Sequence, residues 1–183
     1  QQSTPTFKPV LLISPFVSDP QLEAVKSSCD LSMFEIVRGS SIDMMSKSRL
    51  IISIPGTNTA EAMYLNQPML VVLPLNKPSV LIFDGLAGLL SKLPIVGYLL
   101  QRLIIYYLTH PKRLFSLPNI KAGREILPEF VRIIKPNELG DFILDHYNDD
   151  NRLAQIKSEL KEIYEDTNLA QKIVSEMGSS ILS

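Results

Sequence analysis

The sequence predicts an α/β fold with a parallel sheet flanked by helices and an apolar helical insertion. Three observations carry that prediction. Four short apolar runs, PVLLISPFV (9–17), MFEIVRG (33–39), LIISIPG (50–56) and PMLVVLPL (68–75), recur along the first half of the chain. Runs such as 9–17 and 68–75 are nearly continuous in Val, Ile and Leu, as strands buried on both faces require. Between the runs lie short segments with helix-start chemistry, so strands alternate with helices, the signature of βαβ units and a parallel sheet.

The elements follow in order. After the first run, SDPQLEAVKSS reads as a short helix with Asp19 as N-cap and Pro20 in its first position. The second strand leads into SSIDMMSKSR, a helix capped by Ser40 or Ser41. The third runs directly into NTAEAMYLN, and the fourth ends at PL before the pattern changes. In parallel sheets ligands bind beyond the carboxyl ends of the strands. That rule places the 14–18, 38–41, 56–61 and 74–77 loops on one functional rim.

Residues 78–110 form the hydrophobic insertion, which Asp84, Lys92, Pro94, Gln101 and Arg102 interrupt. A membrane-crossing helix needs about 20 largely uninterrupted apolar residues, and Pro94 is expected to split the segment into two helices. In the second, Tyr98, Arg102, Tyr106 and Thr109 make a narrow polar stripe on an apolar cylinder, and Lys112 and Arg113 follow. A helix lying in a membrane interface has this layout. Leu99, Arg102, Leu103, Ile104, Tyr106, Lys112 and Arg113 are its expected contacts. A core hairpin or an oligomer interface fits the same residues.

Beyond the insertion, FVRIIK (130–135) reads as a last strand. Two amphipathic helices broken near 148–151 follow, and residues 167–183 read as a separate C-terminal helix with Leu169, Ile173 and Met177 on one side. Residues 1–8 are expected to be a linker or the edge of a cut piece, leaving 9–166 as the main domain. A net charge of −1 argues against nucleic acid as partner, which calls for a clustered basic face. The lone Cys29 excludes an internal disulfide framework, suits a cytoplasmic setting and is expected to pack as a small apolar group. His110 reads as a solvated or capping loop residue, and His146 as one suited to a helix end. No metal-ligand spacing is visible.

Two motifs carry the function. Gly56 ends a strand where Asn58 begins a helix, and the N–H groups at such a helix start suit a diphosphate. Glu61, one turn in, is within reach of a neighbouring hydroxyl; Asn58 and Glu61 also have the spacing of a capping box that satisfies itself. The second motif is SLPNIKAGREILPEF (116–130). Together they resemble the bacterial lipid-A-disaccharide synthase family. Its Ser-Gly-Thr-x-x-x-Glu-Ala segment is matched by Pro55, Gly56, Thr57, Glu61 and Ala62, and its Pro-Met/Leu-Val-Val strand by 68–72. Its Ser-Leu-Pro-Asn and Ala-Gly-Arg-Glu elements are matched by 116–119 and 122–125, with Pro128 and Glu129 continuing. The likeness runs from about Pro9 to Asp166, and the second half is the more specific.

The resemblance implies a Rossmann-like, nucleotide-sugar-binding lobe of the two-lobed GT-B glycosyltransferase architecture. The Gly56, Thr57, Asn58 and Thr59 amides would hold the diphosphate of a UDP-diacylglucosamine-like donor and Glu61 its ribose. Asn119, Arg124 and Glu125 would face the donor sugar or diphosphate. The family is an inverting hexosyltransferase of lipid A biosynthesis, peripheral to the cytoplasmic face of the inner membrane, with an acylated sugar lipid as acceptor and no metal or other cofactor expected. Position 55 is Pro where the family has Ser, and the family's opening βα unit and its acceptor lobe, where a catalytic base belongs, have no counterpart. No catalytic residue is therefore assigned, and the lobe is not expected to turn over alone. Two apolar surfaces in one chain also suggest a homo-oligomer. The alternatives are a non-catalytic lipid- or partner-binding module and a plain Rossmann-like domain with an unrelated ligand.

Overall fold

The computed structural model describes residues 7–15, 17–39, 41–76 and 113–181, with the backbone alone at 41 and 166–181. The expectations for the 78–110 insertion, including Leu99, Arg102, Leu103, Ile104 and Tyr106, and for Lys112 lie outside the described residues. The chain is α/β, with small parallel sheets flanked by helices, and divides into two units, 1–47 and 48–183.

In the first unit, β1 (Val10–Ile13) and β2 (Glu35–Arg38) pair in parallel, Val10 beside Glu35 and Ile13 beside Arg38. Parallel partners need a crossover, here α1 (Asp19–Ser28), and α2 (Ser41–Lys47) follows β2. The helix start lies one residue earlier than the sequence suggests. Ser18 is the N-cap, because Gln21, three residues on, reaches back to accept from the Ser18 N–H and hydroxyl at 2.8 and 2.9 Å. Leu22, three residues after Asp19, cannot do this. Arg38 joins the ends of the unit, pairing with Asp19 at 2.7 Å and donating to the Val17 carbonyl at 3.2 Å. Cys29 is a second correction, for it is exposed. It continues the face of buried Leu22 only if the helix runs on, but α1 ends at Ser28 and Cys29 is extended, φ −140°.

The second unit holds a three-stranded parallel sheet, β3 (Ile51–Ser53), β4 (Met69–Pro74) and β5 (Glu129–Arg132), with β4 central. Its register aligns Ser53, Val71 and Glu129 in one row. Met69–Val72 are buried side by side, as the apolar run requires for a strand covered on both faces. The single sheet expected from the alternation is therefore two separate sheets among the described residues. Strand-helix alternation dictates parallel pairing but not which strands share a sheet.

Beside the sheet lie α3 (Thr57–Leu65), which packs on β4, α4 (Leu117–Ala122), α5 (Pro136–Asn148) and α6 (Asp150–Ile181), with α6 packing against the other three helices. Helix α3 ends at Asn66, whose left-handed φ of 51° suits one of the few non-glycine residues tolerated there. Leu153, Ile156 and Leu160 of α6 are buried at helical spacing, each stabilising the unit by roughly 1.5–3 kcal/mol. The break between α5 and α6 falls at Asp149, as expected. The separate C-terminal helix does not exist: α6 is continuous over 32 residues, because no Gly or Pro occurs between Asp150 and Met177 to stop it. Leu169, Ile173 and Met177 lie where only the backbone is described. Among the described residues no helix is long and apolar enough to cross a membrane.

Candidate functional site

The β3–α3 turn is the more open of the two motif segments. Gly56 is the N-cap of α3 in an extended conformation, φ 163°, and a Cβ added there would meet nothing within 4 Å. Gly56, Thr57 and Asn58 are all exposed. The first N–H groups of a helix have no intrahelical acceptor, so those of Thr57 and Asn58 begin α3 with the positive end of its dipole behind them. The Thr59 amide is different. It donates to the Gly56 carbonyl at 3.1 Å and so leaves the expected diphosphate set.

The self-satisfying capping box is not formed. With Gly56 as N-cap, the third helical residue is Thr59 and not Glu61, and the Asn58 amide turns back to donate to Ser53 Oγ at 3.1 Å. Glu61 is half-buried one turn further on. Thr59, 1% exposed, donates its hydroxyl proton to the Gly56 carbonyl at 2.8 Å and accepts the Leu117 N–H at 3.2 Å. That bond ties the start of α3 to the start of α4.

The α4–β5 segment is built inward. Asn119 is fully buried; its Oδ1 accepts from Ile126 N and Leu127 N, each at 2.8 Å, and its Nδ2 donates to Leu127 O and Glu129 Oε1. All its hydrogen-bonding capacity on these atoms meets protein. Asn119 thus shapes the turn into β5 and does not face a donor sugar. Gly123 closes α4 in the left-handed region, φ 65°. Arg124 leaves that turn for α6, where Nη1 meets Glu159 Oε2 at 2.8 Å. Burial pushes the Glu159 carboxyl up, but hydrogen bonds from Arg124 and Gln155 outweigh it and hold it below the ordinary range. Glu125 is shifted the other way, by burial first and then by the Glu129 charge, against the opposing pull of Arg152 and His146.

Arg124 and Glu125 follow the far end of α4, about 9 Å from Leu117 at 1.5 Å per residue. The structure therefore brings Gly56, Thr57, Asn58, Thr59 and Glu61 together on one turn, but places Arg124 and Glu125 with α6. Arg113 is described and half-buried. His146 lies in the last turn of α5, its Nδ1 2.8 Å from the Phe142 carbonyl and its ring against Phe142. Glu129, which gathers Phe115, Ser116 and Asn119, has a role the motif alone did not reveal. The available signal was a lone acid opening the strand ahead of Phe130 and Val131. Asn76, on the 74–77 loop, exchanges hydrogen bonds with Ile134 at 2.9 and 2.7 Å and so continues the β4–β5 pairing.

A shallow depression of about 200 Å³ lies elsewhere, lined by Arg49, Asp150, Leu153, Ala154 and Lys157. Arg49 there is committed to Asp150, to the Tyr147 carbonyl and to the Tyr147 ring, which makes it a brace between β3 and α5. Among the described residues no three His, Cys, Asp or Glu side chains are placed to hold a metal ion. No family model matches the chain, and no match is found among characterised proteins or solved structures.

Proposed function

We propose that the chain is the nucleotide-sugar-binding lobe, Rossmann-like in form, of an inverting hexosyltransferase similar to the lipid-A-disaccharide synthases. The observation that carries the reading is the β3–α3 turn: an exposed glycine with free space above it, at the carboxyl end of a parallel strand, leading into two helix-start N–H groups. A diphosphate is the group such a turn accommodates. Thr57 and Asn58 amides take the diphosphate of a UDP-acylglucosamine donor and Glu61 takes the ribose, while Asn119, Arg124 and Glu125 support the fold of the site from behind. In the reaction a hydroxyl oxygen of the acceptor bonds to the anomeric carbon as the bond from that carbon to UDP breaks. The helix start stabilises the charge gathering on the leaving UDP. The proton goes to a base on an acceptor lobe, outside residues 1–183.

A UDP titration followed by calorimetry tests the reading. Binding is expected, and Glu61→Ala is expected to weaken it by about 1–3 kcal/mol, the scale of a charge-assisted hydrogen bond. A wild-type chain silent to millimolar UDP would favour the second reading, a non-catalytic lipid- or partner-binding module. One observation supports that alternative: Asn119 and Arg124 are satisfied internally. The first reading places the protein at the cytoplasmic face of the inner membrane through 78–110. Flotation with anionic vesicles is the expected outcome, and its persistence after Leu99, Leu103 and Ile104 are all changed to Ser would remove the membrane assignment.

A further inference from the structure

Glu129 has no task in the reaction above, yet it is the most heavily hydrogen-bonded acid described in the chain. Its Oε1 accepts from Ser116 N at 2.9 Å, Ser116 Oγ at 2.7 Å and Asn119 Nδ2 at 2.7 Å. Phe115 N is shared between its two oxygens at 3.1 and 3.0 Å. Ser116 and Asn119 are fully buried, so these donors have no water to fall back on and the carboxylate is their acceptor. One residue beyond Ser116, the Leu117 N–H donates to Thr59 Oγ1. A hydroxyl has a single proton to give. Because Leu117 presents a donor, Thr59 must turn its own proton away from it, and that proton meets the Gly56 carbonyl.

Hydrogen bonds joined through the Ser116–Leu117 backbone therefore run from the first residue of β5 to the N-cap of α3. Register supports it, since Glu129 and Ser53, the last residue of β3, lie in one row across β4. We propose that Glu129 and Thr59 are positioning residues of the donor site. Glu129 sets the backbone at 115–116 and with it the Leu117 N–H. That N–H sets the Thr59 hydroxyl rotor, which holds the Gly56 carbonyl and so aims the Thr57 and Asn58 N–H groups at the ligand. The inference rests on the nucleotide-binding reading for its ligand but not for its linkage.

The test uses the full ¹⁵N-labelled chain, with amide hydrogen exchange measured without ligand and UDP affinity measured by NMR titration. Thr59→Val keeps the volume and removes the hydroxyl; Thr59→Ser restores it. Thr59→Val is expected to speed exchange at Leu117 and at Thr59, whose amide is bonded to the Gly56 carbonyl, at least tenfold while leaving Leu70 and Val72 unchanged, and to weaken UDP binding about tenfold. Thr59→Ser is expected to return both to within about twofold of wild type. Glu129→Gln is expected to speed exchange at the same amides, including that of Thr59, which it does not touch. Unchanged exchange at the Thr59 amide in both Thr59→Val and Glu129→Gln would overturn the linkage, whatever UDP does. Faster exchange with wild-type UDP affinity would overturn the positioning role. If wild type does not bind UDP, the nucleotide reading falls, and with it the ligand assignment, while the exchange result still decides the linkage.

Discussion

The β3–α3 turn and the α4–β5 segment are both polar, both glycine-containing and both part of one motif set, yet they use their polar groups in opposite directions. At 56–58 the helix start is exposed, and the space beside Gly56 is empty. At 116–129 the key polar side chains, Ser116 and Asn119, point inward at 0% exposure. Polar residues clustered in a loop therefore do not by themselves mark ligand contacts. A buried turn has backbone N–H and C=O groups that must be satisfied from somewhere, and Asn119 does so for Ile126 and Leu127.

The contrast is broken most forcefully at Asn119. Asn119→Ala leaves two buried N–H donors and one carbonyl without their partner, and each such loss costs about 1–3 kcal/mol. A destabilisation on the order of 3 kcal/mol or more is expected in denaturant melts. A variant as stable as wild type would show that the site is more open than described. Gly56→Ala should behave in the reverse manner. Losing an N-cap glycine and restricting the unfolded chain oppose each other at about 0.5–1 kcal/mol apiece, so the unfolding midpoint should barely move. The added methyl stands in the space a diphosphate would use, and UDP affinity should fall about tenfold; unchanged affinity would place the ligand elsewhere.

The smallest effects are expected at Glu125 and Glu159, and their pH dependences have opposite signs. Glu125 is raised above its ordinary 4.5 by burial and by Glu129, so the folded state holds its proton longer than the unfolded state. Stability then falls as pH rises from about that value through the folded one. Glu125→Gln should be slightly more stable than wild type at pH 7, the gain fading as pH falls through the folded value and gone below about 4.5. Glu159, lowered despite its burial by Arg124 and Gln155, contributes stability above the ordinary value that is lost as pH falls through its folded one. Glu159→Gln should therefore lose stability at pH 7 and converge on wild type in acid. Thermal melts across pH 3–8 distinguish the two slopes.

Local pattern was enough to determine several things about this protein. A run such as Met69–Val72 has no polar face to show to water, so it became a strand covered on both sides. The start of α3 after Gly56 and the break at Asp149 were legible because caps and turns act within a few residues. Tertiary structure alone decided which motif residues face inward. Thr59 finds Leu117 across 58 positions and Arg124 finds Glu159 across 35. It likewise decided that the strands form two sheets, and that Cys29 is exposed. The physical reason is the range of the forces involved. Periodicity and capping are satisfied between near neighbours, whereas a buried donor takes whichever acceptor the packed chain brings within about 3 Å of it.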